Sequence, residues 1–201
     1  MIIYNEEQRS KEWHIRRLGK VTGSRAKKVF ATNNLPLIDT LIAEVMTGEE
    51  EEIFTNAAMQ RGIDEEPHAC SDYEKKMGYT VDHVGICIHD TYDFLAVSPD
   101  GWVDNYKGAV EIKCPKSSTH IRYIRQGSVP SEYKYQVMQY FLVNEDLQWL
   151  DFVSYDPRVV AYPLFTDRVW RKDIEDDLDF AMSEMIKFNK KYQKYLQKFE
   201  A

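Results

Sequence analysis

The stretch Ser98-Pro99-Asp100-Gly101, followed by Val110-Glu111-Ile112-Lys113-Cys114-Pro115, constrains this chain more than any other part of it. Pro99 and Gly101 flank Asp100 as turn residues do. Asn105 and Gly108, between Trp102 and Ala109, are hairpin-turn residues. Asp100 and Glu111 are therefore expected on neighbouring strands. The side-chain period of two points Glu111 and Lys113 to one face and Ile112 to the other. Two carboxylates and an ammonium then converge. Clustered carboxylates repel unless a cation is present, and hard divalent cations take oxygen ligands. The stretch reads as a magnesium site with a lysine beside it, the apparatus of phosphodiester hydrolysis.

The rest of the chain bounds that reading. With 201 residues, 43% hydrophobic and 29% charged, one domain over 1–201 with a sizeable core is expected. No apolar run reaches the roughly 20 residues of a membrane helix. The first residues lack the basic and apolar regions of a signal peptide, and Cys70, Cys87 and Cys114 form no CxxC pair. A reducing cytoplasm is the expected setting. A net charge of -7 argues against nucleic acid, but the charge is segregated. Arg9 to Lys28 holds eight Lys/Arg and one acid; Glu44 to Glu66 holds eight acids and one base; Lys107 to Lys134 holds six bases and two acids. A basic phosphate-binding surface on an acidic body fits that pattern, with solvated helix faces as the plain alternative.

Periodicity predicts helices over Gln8–Leu18, from Thr22 or Ser24 to Phe30, over Leu37–Met46, and from a Thr55 cap to Met77 across Pro67. A strand-rich centre follows: Tyr79–His89, Phe94–Val97, Trp102–Asp104 and Ala109–Cys114. Helices over Ser117–Gln126 and Glu132–Val143 come next, then strands over Trp149–Tyr155 and Val159–Phe165, and a long charged helix over Arg168–Phe199. Glu49 to Glu52 reads as a solvated acidic turn. The architecture expected is α/β, a central mixed sheet flanked by helices.

The central motif resembles the PD-(D/E)XK nuclease superfamily, and within it the lambda-exonuclease and YqaJ-type viral recombinase family. Further matches run in order: Trp13-His14 to Arg17-Leu18-Gly19 with Thr22-Gly23-Ser24, Leu41 to Gly48, Arg61-Gly62 with Glu66, Tyr133 with Gln136-Val137, and Tyr155 to Arg158. The resemblance implies a restriction-endonuclease-like core. It implies that Asp100 and Glu111 are metal carboxylates, joined by the Ile112 carbonyl and Glu66. Lys113 would position or activate the attacking water, or stabilise the phosphate, and Gln136 would support the site. Arg17, Thr22, Ser24, Ser98 and Trp13 would hold a terminal 5′-phosphate.

What the resemblance implies for function is a magnesium-dependent exonuclease, with one or two Mg2+ and manganese as a substitute. It would digest one strand of linear double-stranded DNA from 5′ ends to mononucleotides and leave 3′ overhangs. Its partners would be DNA ends and a single-strand annealing recombinase; its assembly a homotrimer; its origin a phage or prophage. Two other readings stand beside it: a structure- or sequence-specific endonuclease of the same fold, and a non-catalytic DNA-binding or docking module. One departure from the family is visible. Where an arginine follows Lys-Cys-Pro in relatives, this chain has Thr119-His120, leaving Lys116, Arg122 or Arg125 as substitutes.

Overall fold

The computed structural model describes residues 1–51 and 56–199. In chain order the elements are β1 (Ile2–Tyr4), α1 (Lys11–Arg17), α2 (Gly23–Val29), α3 (Leu35–Thr47), α4 (Ala57–Met77), β2 (Ile86–Ile88), β3 (Ala96–Val97), β4 (Gly101–Val103) and β5 (Gly108–Lys113). They continue as α5 (Ser117–Gln126), α6 (Lys134–Val143), β6 (Trp149–Tyr155), β7 (Leu164–Trp170) and α7 (Glu175–Leu196). The strands form two sheets, β1-β2-β3 and β4-β5-β6-β7. In the second, only β5 and β6 run parallel, so the sheet is mixed as expected. The connection Ser98-Pro99-Asp100 leaves the first sheet at Val97 and enters the second at Gly101.

Alternation along β5 and β6 explains the layers. Ala109, Leu150 and Phe152 join the core under α2, α3, α6 and α7. Val110, Ile112, Trp149, Val153 and Tyr155 join a second core with Ala69 and Tyr73 of α4. Because Glu111 alternates with Val110 and Ile112, it faces α6 and not α4. The fold thus decides which helix supplies partners to Glu111.

A buried cross-link closes the α4 side. Tyr73 donates its hydroxyl to Asp151 at 2.8 Å, and Arg168 forks onto both oxygens of Asp151 at 2.7 and 2.8 Å. The Arg168 guanidinium also lies 3.6 Å over the Trp149 ring.

Three expectations need correction. Val159–Phe165 is not a strand. Asp156 accepts from the backbone and side chain of Arg158, folding a loop that leaves Val160 85% exposed. The strand begins at Leu164, pairs antiparallel with β6 as far as Trp170, and pushes the start of the last helix to Glu175. The acidic run is not simply a solvated turn, since Glu50 is drawn inward onto arginines, as described below; Glu52 lies outside the described residues. Thr55, expected to cap α4, also lies outside them. Asn56 takes that role, its Oδ1 accepting from Ala58 and Met59 at 3.0 Å.

Gly19 ends α1 with φ of 67°, and its N–H donates to Glu44 Oε2 at 3.1 Å. A Cβ there would sit 2.6 Å from Val45 Cγ2. Gly19→Ala is therefore expected to lower stability by more than about 1 kcal/mol, read from denaturant unfolding, because strain and overlap add. A loss below a few tenths would show that the turn relaxes.

Candidate active site

The central stretch assembles as its spacing demands. Gly101 pairs with Val110, which sets Asp100 beside the Glu111–Ile112 end of β5. The Ile112 N–H donates to Asp100 Oδ2 at 2.6 Å. Lys113 Nζ bonds Glu111 Oε1, joined there by Gln136 Nε2 at 2.5 Å. Glu111 is 1% exposed, so its charge is held by these partners and not by water.

Tyr140 belongs to the same group and was not singled out by the sequence reading. Its hydroxyl donates to Glu111 Oε2 and accepts from the Asp100 N–H at 3.2 Å, so it joins the two carboxylate residues directly. The signal was present in part: Tyr140 lies four residues after Gln136, on the same helical face.

The electrostatics are those of a cation-binding site. Burial, and next the Glu111 charge, push the Asp100 carboxyl well above its usual range; Glu66 adds to this. Burial would push Lys113 down, but Glu111 and Asp100 outweigh it and drive its pKa upward, so the ammonium is retained. Glu66 comes from α4 and lines, with Asp100, Ile112, Cys70 and His83, a cleft of about 450 Å³. It pairs there with Arg9 at 3.6 Å. Glu66 and Glu111 thus approach Asp100 from opposite faces of β5, and among the described residues no three His, Cys, Asp or Glu side chains form a ready-made cage. The donor set still suits a hard divalent ion: the Asp100 carboxylate, whose ionisation the Glu111 charge opposes, Glu111 itself, a backbone carbonyl and a third carboxylate at the cleft.

A second cluster lies two residues upstream. Arg17 Nη1 donates to Ser98 Oγ at 3.1 Å, and Trp13 Nε1 donates to the same oxygen at 3.1 Å and to the Gly85 carbonyl at 2.9 Å. The Arg17 guanidinium stacks 4.0 Å over the Trp13 ring. Arg17, Trp13 and Ser98 are therefore brought together. Glu50, which the sequence reading set aside, completes the cluster by accepting from Arg17 Nε at 2.9 Å. Thr22 is buried with its hydroxyl lacking a hydrogen-bond partner. Ser24 is exposed on the first turn of α2, beside Gly23, whose neighbour across the site is Gln136.

His120 is fully buried, bonded to Ser154 Oγ at 2.7 Å and the Tyr162 carbonyl at 2.8 Å. It ties the loop after β6 to α5 and is no surface cation. Arg122 pairs with Glu132 at 3.0 Å, while Lys116 and Arg125 are exposed.

Comparison with known proteins gives the family and the fold. The model of the YqaJ-like viral recombinase domain matches residues 12–146. An alkaline exonuclease (LHK-Exo) from Laribacter hongkongensis superposes with a TM-score of 0.87 at 35% identity, over 95% of this chain and 96% of that one. The same enzyme solved in complex with dAMP gives 0.81 at 34% identity, over 95% and 98%. A phage-related exonuclease from Haemophilus somnus 129PT gives 0.59 at 14% identity, over 98% of each chain, a likeness of fold alone. No curated protein matches. The family model spans well over half of the chain, and it includes Asp100, Glu111, Lys113 and the whole Arg17 cluster. The chain belongs to the YqaJ-like viral recombinase family and has the fold of the alkaline exonucleases.

Proposed function

We propose that this protein is a magnesium-dependent exonuclease that degrades one strand of linear duplex DNA from its 5′ end. The observation that carries the reading is the joining of two clusters through Ser98-Pro99-Asp100: a basic, aromatic pocket at Arg17 and a carboxylate–lysine site at Glu111. An end-gripping pocket beside a hydrolytic site is what end-directed attack requires. A relative is solved with dAMP, a deoxynucleoside monophosphate, the class of product such attack releases.

The residues divide the work. Asp100 and Glu111, with the Ile112 carbonyl and Glu66, would hold the divalent ion. When bound, that ion supplies Lewis-acid stabilisation of the phosphate oxygens and a water of lowered pKa. Gln136 and Tyr140 hold the Glu111 carboxylate in one orientation. The Lys113 ammonium presents fixed positive charge where negative charge develops on the phosphate. Arg17, Trp13 and Ser98 hold the terminal phosphate, with Thr22 and Ser24 nearby at the start of α2. Exposed Lys116 and Arg125 take over the phosphate contact of the arginine absent at Thr119-His120. The 3′ overhang left behind is the substrate of a single-strand annealing partner in phage or prophage recombination. A homotrimer closing around DNA would make the digestion processive. Among the described residues no helix is long and apolar enough to cross a membrane.

The test compares linear and covalently closed duplex, each with magnesium and with chelator. Linear duplex should vanish only with the metal, the circle should persist, and 5′-phosphorylated ends should be consumed faster than 5′-hydroxyl ends. Loss of the circle at a similar rate would instead assign an endonuclease of the same fold.

A further inference from the structure

We propose that Glu50 is an internal stand-in for the terminal phosphate, a carboxylate that occupies the Arg17 pocket and must be displaced before a DNA end is gripped. The proposal rests on the reading of that pocket as the end-binding site.

The charges make the argument. Arg17 and Arg25 each keep only 11% of their side chains exposed. Buried guanidiniums need a countercharge, since an unpaired one is costly. Arg25 has its own in Glu44, which is 1% exposed, takes both guanidinium nitrogens and also caps the Gly19 N–H. Arg17 has Glu50. The Glu50 carboxylate lies 2.9 Å from Arg17, 3.6 Å from Arg25 and 2.5 Å from His14 Nδ1, with 13% of its side chain exposed. Ser98 Oγ accepts from both Arg17 and Trp13, so its own hydrogen is left to donate to an anion.

The site is thus built for a planar or tetrahedral oxyanion held by two guanidiniums. A phosphate presents the same oxygens with more charge and a fork-compatible geometry. On this proposal the two anions compete for Arg17, whose Nε–H already serves Glu50 and whose Nη1 serves Ser98. Binding an end therefore carries the cost of breaking the Glu50 contacts, which lowers apparent affinity by the fraction of molecules with the pocket free. A 5′-hydroxyl end has no charge with which to compete. Glu50 thereby lowers the advantage of phosphorylated over unphosphorylated ends, while keeping other weak anions out.

The experiment measures kcat/KM on linear duplex with 5′-phosphate and with 5′-hydroxyl ends for wild type, Glu50→Gln and His14→Ala. The ratio of the two substrates should rise in Glu50→Gln by about tenfold, mainly through KM, and in His14→Ala by less. His14 is half-exposed, so that variant tests the idea even where Glu50→Gln folds poorly. Independently of DNA, millimolar inorganic phosphate should raise the melting temperature of Glu50→Gln more than that of wild type, because it returns a partner to Arg17. A ratio unchanged or lower in both variants, with equal phosphate shifts, would overturn the proposal and make Glu50 a structural counterion. A wild type inactive on linear duplex would overturn the proposed function alone, since the phosphate shift is read without DNA.

Discussion

Lys113→Ala should lose about a thousandfold in kcat on linear duplex, the scale expected when a preorganised charge at the reacting phosphate is removed. KM should change little, because the Arg17 pocket is untouched. The fold should survive: Glu111 keeps Gln136 and Tyr140 as hydrogen-bond partners when Lys113 is gone. Single-turnover digestion of end-labelled duplex, with a melting curve on the same sample, separates the two effects. Lys113→Arg should recover only part of the loss, since a planar fork does not reproduce a compact ammonium. Glu111→Gln should fall at least as far, and the double variant no further than the worse single, because residues that act as one unit are not additive. Full activity in Lys113→Ala would remove the lysine from the mechanism.

Arg168→Ala should cost about 3–5 kcal/mol of stability, far more than a surface ion pair. Asp151 is fully buried, and its charge is balanced by the two Arg168 nitrogens and the Tyr73 hydroxyl. Hydrogen bonding to Asp151 is the largest influence raising the Arg168 pKa, and burial the largest raising that of Tyr73, with Asp151 next. Removing Arg168 strands the carboxylate and also uncovers the Trp149 ring. Urea unfolding measures the loss. Pairing Arg168→Met with Asp151→Leu should recover much of it, because the stranded charge then disappears. A loss under 1 kcal/mol for Arg168→Ala would mean that water reaches Asp151 readily.

Arg168 also marks where sequence reading stops. Strand β5 was legible because its logic is local: a hairpin turn, a period of two, and Glu111 and Lys113 on one face. Gln136 was reachable through the family pattern. Tyr140 was harder, since Val137 through Val143 are all buried and the helix shows no polar stripe to mark one face. β1 was missed because three residues carry no period, and their pairing with Ile86–Ile88 is set by residues more than 80 positions away. The register of β7 was misjudged because Val159–Phe165 is apolar enough to pass for a strand. What decides otherwise is the Asp156–Arg158 turn together with the ion pair that seats Arg168 in the sheet. Glu50 stood in a run of four acids, and nothing local says which of them folds back onto Arg17. Apart from the Asp156–Arg158 turn, each miss is a contact between residues distant in sequence.

The connection Ser98-Pro99-Asp100 acts as a ruler. One end carries the hydroxyl that would face the proposed phosphate pocket, the other the carboxylate that would face the proposed metal site, and two residues of chain reach at most about 7 Å. Pro99 between them fixes its own φ and restricts Ser98, so the span has little freedom to stretch. Its ends are anchored in two different sheets, at Val97 and Gly101. On the proposed function, the offset between the held end and the bond to be broken would then be a property of covalent geometry. Stepwise digestion of the kind proposed would need no moving part to measure each step.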